Sequence, residues 1–290
     1  MSATDAQLAS VVRVRVPRRS FASELRAVRI VWRRELIRFI TDRTRIITSL
    51  MQPFMFLFVL GGGLQQLASH GTHGVDLKTF LYPGILCMAV MFTAMFSAAS
   101  IVWDREFGFL REMMVAPVRR SSIVIGKCLG GATVAALQGM IVLAIAGLVH
   151  VPYDLDLILG VLALQLLLAF AITAFALTVA IRVKQMQSFM AVTQMFMMPM
   201  FFISGAMFPV SGLPGWLNVL NRLDPMSYAV DPMRRLVFGK LAISAATRHV
   251  LDPGITWWGW HVPALLEAAV VLILGIVLLA VSIIEFSSSQ

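Results

Sequence analysis

The stretch LDLILGVLALQLLLAFAITAFALTVAI, residues 155–181, decides the architecture. After Asp156 it carries no charged side chain, and apolar residues cover every face rather than one stripe. A helix apolar all round is buried in a large core or in a bilayer, and about 20 apolar residues suffice to cross the hydrocarbon. Working outward, comparable runs occupy roughly 46–66, 81–102, 122–148 and 188–208. A sixth, 262–284, contains only Glu267 and ends at Glu285. Residues 209–261 are also rather apolar, but Pro209, Pro214, Pro225, Pro232 and Pro253 break them, so they do not read as one more span.

Composition agrees. Charged residues make up 13% of the 290-residue chain and mean hydropathy is +0.84. Soluble domains carry about 25% charge, so neither a soluble enzyme nor a disordered chain fits. Cys87 and Cys128 have no metal-ligand or disulfide-framework spacing and read as small buried hydrophobes. The first 45 residues hold eleven Arg and no continuous apolar run of signal-peptide type, so insertion is expected to be directed by the first span itself.

Lys and Arg counts orient the spans. With the N-terminus inside, the cytoplasmic pieces hold 18 basic residues and the outer pieces 6, five of which lie in the long 209–261 segment. Both termini are therefore expected on the cytoplasmic side. This gives an all-α membrane protein with six transmembrane helices. A cytoplasmic tail and amphipathic helix occupy 1–45, and the transmembrane domain fills 46–290.

Ahead of the first span, Phe21, Leu25, Val28, Trp32, Leu36 and Phe39 form one apolar stripe at helical spacing, with Ser20 placed as an N-cap. Arg26, Arg29 and Arg33 lie off the stripe. Such a helix either lies on an anionic leaflet or packs on soluble protein; the basic residues beside Trp and Phe favour membrane lipids as its partner. No basic groove elsewhere suggests nucleic acid. Gly126 and Gly130 form a G-x-x-x-G that would permit close helix approach, and Gly61, Gly62 and Gly63 are expected to loosen or end the first span.

Catalytic patterns are missing. Gly126-Lys127-Cys128 resembles the end of a phosphate loop but lacks the following Ser/Thr and the upstream Gly. His70 and His73 are spaced for a metal or for an ordinary polar loop. No catalytic, cofactor or metal set emerges from this chain. The unusual polar run is Trp103-Asp104-Arg105-Glu106-Phe107-Gly108-Phe109-Leu110-Arg111-Glu112. Phe107, Leu110 and Met114 share one helical face, Pro117 closes it, and Arg119 and Arg120 return the chain to the membrane. A cytoplasmic helix over about 103–117, with exposed charges and an apolar edge, suits docking into a soluble partner or a solvated loop equally.

WDREFGFLREMMVAPVRRSSIVIGKCLGG, residues 103–131, resembles the cytoplasmic signature of the ABC-2 transporter permease family. FISGAMFPVSGLPGWLNVLNRLDPMSYAVDPMRRLVFG, residues 202–239, resembles that family's segment around the fifth span. There Gly205, Phe208, Pro209, Leu213, Pro214, Trp216 and Leu217 match, as do Asp224-Pro225, Tyr228, Asp231 and Arg234. "FGFLRE" is similar to the branch of daunorubicin-resistance exporters. The resemblance implies a half-transporter that binds no cofactor itself. It would pair with a second permease copy or a related one and with two copies of a soluble ATPase that hold ATP and magnesium. Asp104, Arg105, Glu106, Phe107, Arg111 and Glu112 become the expected ATPase-coupling residues. Residues 209–235 become a re-entrant helical pair.

Cargo is less specified. Met186, Met190, Met195, Met197, Met198, Met200 and Met207 crowd the fifth span; this suits a hydrophobic cargo, ordinary packing or, more remotely, a copper path. Met190, Gln194, Met197 and Glu267 are the candidate path residues, with Gln165 equally ambiguous. Glu267, the acid within a span, is expected to face a wet vestibule or pair with Arg234 or Arg235. Export of drug-like compounds from the bacterial cytoplasm leads. Export of a lipid or lipid-linked glycan, and a non-transporting scaffold, are the alternatives.

Overall fold

The computed structural model describes residues 20–65, 75–109, 118–208, 214–241, 244, 247, 251, 254–257 and 259–288. The chain is helical nearly throughout: α1 (Phe21–Thr41), α2 (Arg43–Gly63), α3 (Leu77–Glu106), α4 (Arg120–Leu143), α5 (Leu155–Arg182), α6 (Met186–Ile203), α7 (Gly215–Leu223), α8 (Ser227–Gly239) and α9 (Ala264–Ser288). A two-residue hairpin, Thr256–Trp257 against Trp260–His261, precedes α9. Helices α2, α3, α4, α5, α6 and α9 are long and apolar enough to cross a membrane, matching the six apolar runs.

Helix α3 is the centre. In its most apolar window 89% of residues are buried, and α2, α4, α5, α6 and α8 all pack on it. Only 17% of the corresponding windows of α2 and α9 and 22% of that of α6 are buried. These outer helices present apolar faces outward, an arrangement that water does not sustain and lipid does. The protein is a multi-pass membrane protein. Cys87 and Cys128 are free and buried, as expected of small hydrophobes.

One expectation about helix limits changes. The 122–148 run does not stay α-helical to its end: α4 stops at Leu143, and a 3-10 turn, Ala146–Val149, follows. The Tyr153 hydroxyl holds this break, donating to Ala144 O at 2.6 Å and accepting from Gly147 N at 3.0 Å. Helix α2 passes through Pro53 by switching to π form over Met55–Leu60, and Gly61–Gly63 form its last turn before Leu64.

The proline-broken segment forms a helix pair, α7 and α8, joined by a turn at Asp224–Met226. Helix α8 is largely buried against α3, α5 and α9, whereas α7 exposes Trp216, Val219 and Leu223. Tyr228 shares a small apolar cluster with Ala171 of α5 and Val271 of α9.

Candidate functional site: the last turn of α3

Helix α3 does not stop where the expected docking helix was to begin. Trp103 to Glu106 are its last turn, and the helix ends at Phe107 because Gly108 takes a left-handed φ of +80°. Leu110, Arg111, Glu112, Met114 and Pro117 lie outside the described residues, so the expected helix is placed only in its first part.

Each charged side chain of this last turn bonds within the chain. Asp104 is buried at 3% exposure and sits between two cations, Arg34 Nη2 of α1 at 2.8 Å and Lys127 Nζ of α4 at 2.7 Å. Lys127, also buried, reaches Glu35 of α1 at 3.0 Å and Ser100 Oγ of α3 at 2.9 Å. Four charges of equal and opposite count thus tie α1, α3 and α4 together. Arg105 donates to the carbonyls of Ile181 and Val183 at 3.0 and 2.7 Å, placing a cation at the negative C-terminus of α5. Glu106 accepts from Met186 N at 2.7 Å, placing an anion at the positive N-terminus of α6. The expectation of exposed charges is corrected for Asp104: its partners on α1 and α4 remove it from solvent. Among the described residues of the expected coupling set, Glu106 and Phe107, the latter 72% exposed, face outward, together with Phe109.

Helix α1 accounts for the G-x-x-x-G. A Cβ on Gly126 would lie 2.8 Å from Val31 Cβ, and one on Gly130 would lie 2.8 Å from Glu35 Cβ. The glycines therefore let α1 lie tight on α4. Trp32 Nε1 donates to Thr133 Oγ1 across the contact at 3.0 Å, and Glu24 accepts from Ser122 Oγ at 2.6 Å. Ser20 takes the N-cap position as expected. The buried and half-buried face follows the expected stripe through Val28, Trp32, Leu36 and Phe39 and adds Val31 and Glu35, while Phe21, 85% exposed, and Leu25 at the N-terminal end are left exposed. Glu35 lies on that face opposite the buried Lys127 ammonium. Arg33, Arg34 and Arg38 line a cleft of about 610 Å³ with Ile37, Trp103 and Phe107, and Arg38 stacks 4.8 Å above the Trp103 ring.

The second matching segment is a bonded clamp. Asp224 accepts from Met226 N at 3.1 Å and from Ser227 Oγ at 3.3 Å, and Asn221 Nδ2 donates to Ile203 O and Ser227 Oγ. Tyr228 Oη donates to Arg222 O and accepts from Trp257 Nε1. Asp231 pairs with Arg235 and accepts from Ile255 N at 2.8 Å. Glu267, fully buried, takes Arg235 Nη2 at 3.0 Å, which resolves the expected pairing in favour of Arg235. Arg234 donates to Gly205 O at 2.5 Å and stands over the Phe80 ring at 4.9 Å. Pro214 is the N-cap of α7, Trp216 is exposed, Pro225 lies in the turn, and Pro209 is outside the described residues.

The four path candidates do not share one environment. Met190 and Gln194 are exposed on α6, Met197 is buried in the core, and Glu267 belongs to the Arg235 cluster. His70 and His73 lie outside the described residues, among which no group of acidic, His or Cys side chains is placed to hold a metal. Sequence reasoning missed Lys127, Glu35, Arg34 and Asn221. A lysine inside an apolar run opposite a glutamate inside an arginine-rich helix was the available signal.

The ABC-2 type transporter family matches residues 26–238, which takes in both the α3 turn and the α7–α8 pair. The chain belongs to that family. Among its relatives, the "Probable doxorubicin resistance ABC transporter permease protein DrrC" of Mycobacterium tuberculosis is 28% identical over 83% of this chain and 85% of its own length. "Nodulation protein J" of Rhizobium leguminosarum is 28% identical over 72% of this chain and 80% of its own. The "Probable multidrug ABC transporter permease YbhR" of Escherichia coli is 29% identical over 56% of this chain and 44% of its own. These relatives are named as permeases of ABC transporters, and such permeases generally work with an ATPase subunit.

Proposed function

We propose that this chain is the membrane subunit of an ATP-driven exporter that moves hydrophobic, drug-like compounds outward across a bacterial cytoplasmic membrane. Both termini lie in the cytoplasm. Two permease copies face each other above two soluble ATPase subunits, which hold the ATP and magnesium. Helix α1 lies at the membrane surface, and the α7–α8 turn enters the bilayer from outside. That depth is supported by the turn lining one cavity with Ala171, sixteen residues and about 24 Å along α5 from Leu155.

The observation that carries the reading is the way α3's last turn distributes force. Phe107 and Phe109 face the partner, while Asp104, Arg105 and Glu106 grip α1, α4, α5 and α6. A displacement imposed at Phe107 by the ATPase therefore reaches four helices through short charge-assisted bonds. The ATPase shifts the permease only through contacts that differ between its two states, and this turn is where they converge.

The test reconstitutes the chain with its co-purified ATP-binding subunit in liposomes and follows a fluorescent hydrophobic drug. ATP-dependent transport that falls several-fold in Glu106→Ala and Phe107→Asp, with insertion intact, is the expected result. Arg111→Ala, in the same set, should cut transport-linked ATP hydrolysis. Purification without any ATP-binding partner, or equal transport in variant and parent, overturns the reading. Transport of a lipid or lipid-linked glycan in place of the drug would keep the machine and change the cargo.

A further inference from the structure

A cavity of about 620 Å³ opens between α5, α6, α7 and α9. Its walls are apolar: Phe175 of α5, Met195, Phe196 and Met200 of α6, and Leu278 of α9 are among them. The volume lies within the range of drug-sized sites. Phe175 and Phe196 meet edge to face at 5.4 Å between ring centroids, giving a fixed aromatic wall, while the two methionines can adapt.

One charged side chain lines this cavity, and it is Asp224, in the α7–α8 turn. Asp224 is 6% exposed, and among the described residues it forms no ion pair. Every other strongly buried acid of the spans and the helix pair, Glu35, Asp104, Asp231 and Glu267, has a lysine or arginine within 3.0 Å or closer. The two bonds Asp224 accepts, from Met226 N and Ser227 Oγ, use two of the roughly four lone-pair positions of a carboxylate. A buried carboxylate without a cation is costly; the N-terminus of α8 and its N–H groups offset part of that cost, and the remainder calls for a proton or a cation brought from outside. Asn221, bonded to Ile203 O and to Ser227 Oγ, fixes the turn against the end of α6, so the carboxylate is held ready rather than folding in on demand.

We propose that this cavity binds an amphipathic organic cation, with the apolar body against Phe175, Phe196, Met195 and Met200 and the positive group at the Asp224 carboxylate. The proposal rests on the transport reading and narrows its cargo to cations. An acyl chain would fill the apolar walls and leave the carboxylate unanswered. A second copy seated here would hide exposed Met195 and Leu223, and the basic side chain its α7 brings is Arg222; that occupant is an outcome of the test below.

Binding is measured on the full chain alone in phosphatidylcholine nanodiscs, without ATP or ATPase. The probes are tetraphenylphosphonium, whose charge is permanent, and the neutral triphenylmethane. The parent should prefer the cation, and Asp224→Asn, which keeps the shape and the acceptor to Met226 N, should weaken cation binding about tenfold or more while sparing the neutral probe. Met195→Trp, filling the cavity from an exposed position, should weaken both probes. If Asp224→Asn does not fold, the parent's cation preference and its loss in Met195→Trp decide. Equal affinity for both probes, as for an acyl-chain groove, overturns the proposal. So does cation binding unchanged in either folded variant, or no binding of either probe because a second copy covers the cavity. Cation binding without ATP-driven movement in the reconstituted complex would sink the transport reading and leave the site standing. Drug transport with no cation preference would do the reverse.

Discussion

The chain buries charge at both ends, and the two clusters are built differently. At the end of α3, Lys127 and Arg34 face Glu35 and Asp104, two cations for two anions, spread over three helices. At the α8–α9 junction, one guanidinium, Arg235, serves both Asp231 and Glu267, and backbone groups complete the set: Ile255 N donates to Asp231, and Val262 O accepts from Arg235. The first is balanced side chain against side chain. The second fastens one helix pair and a hairpin loop. A balanced cluster across separate helices fails when any member is lost, because each charge is another's compensation. A cluster with more acid than base tolerates neutralising one acid.

Lys127→Met breaks this comparison most sharply. It leaves Glu35 and Asp104 buried with their shared cation gone, and breaking a buried pair costs about 3–5 kcal/mol. Thermal unfolding of the purified chain should drop accordingly, and hydrogen exchange across α1 should rise first, because Glu35 is α1's buried charge. Unchanged exchange in residues 21–41 would show that Gly126 and Gly130 hold α1 without the ion pairs. Arg235→Met should approach the same cost at the other end, since it strands two acids.

Glu267→Gln sharpens the contrast. The amide keeps the size of the side chain and can still accept from Arg235, while Asp231 remains as the counter-charge. A loss of about 1 kcal/mol is expected, the scale of one hydrogen bond, and well below that of Lys127→Met. A loss as large as for Lys127→Met would mean that the α8–α9 cluster is balanced after all.

Which of these features could be read from the sequence follows from range. The six spans were legible because a run of apolar residues is a local property, and the match between 155–181 and Leu155–Arg182 shows it. The turn at Asp224-Pro225 was legible as a break in such a run. Lys127 was not, because its partners sit at Glu35, Ser100 and Asp104, on other helices, and helical periodicity carries no information about which helix lies opposite. The same blindness applies to α1: the stripe placed Val28, Trp32, Leu36 and Phe39 on the packed face, but it could not say that a lysine and two glycines of α4 lie opposite, nor that Phe21 and Leu25 stay exposed. Asp104, Arg105 and Glu106 stood out in the sequence as an unusual polar run, but their spacing could not say that three consecutive side chains reach different helices.

The smallest effect is expected at a third ion pair, on the surface. Lys240, just past α8, pairs with Asp154, the N-cap of α5, and both are exposed. The hydrogen bond from Lys240 holds the Asp154 carboxyl below its usual range, with the bond from Asp156 N acting in the same direction. A lowered carboxylate pKa stabilises the folded chain above the ordinary Asp range and is lost as pH falls through the lowered value. In Lys240→Gln, Asp154 still caps α5 through Asp156 N, so the backbone's share of the shift persists and only the lysine's share disappears. Water and salt screen an exposed pair, so at neutral pH the melting temperature should not move measurably. The variant's unfolding should separate from the parent's only in acid, and only at low salt. A clear loss at neutral pH and high salt would place this pair with the buried clusters and make the junction of α8 with α5 a structural joint in its own right.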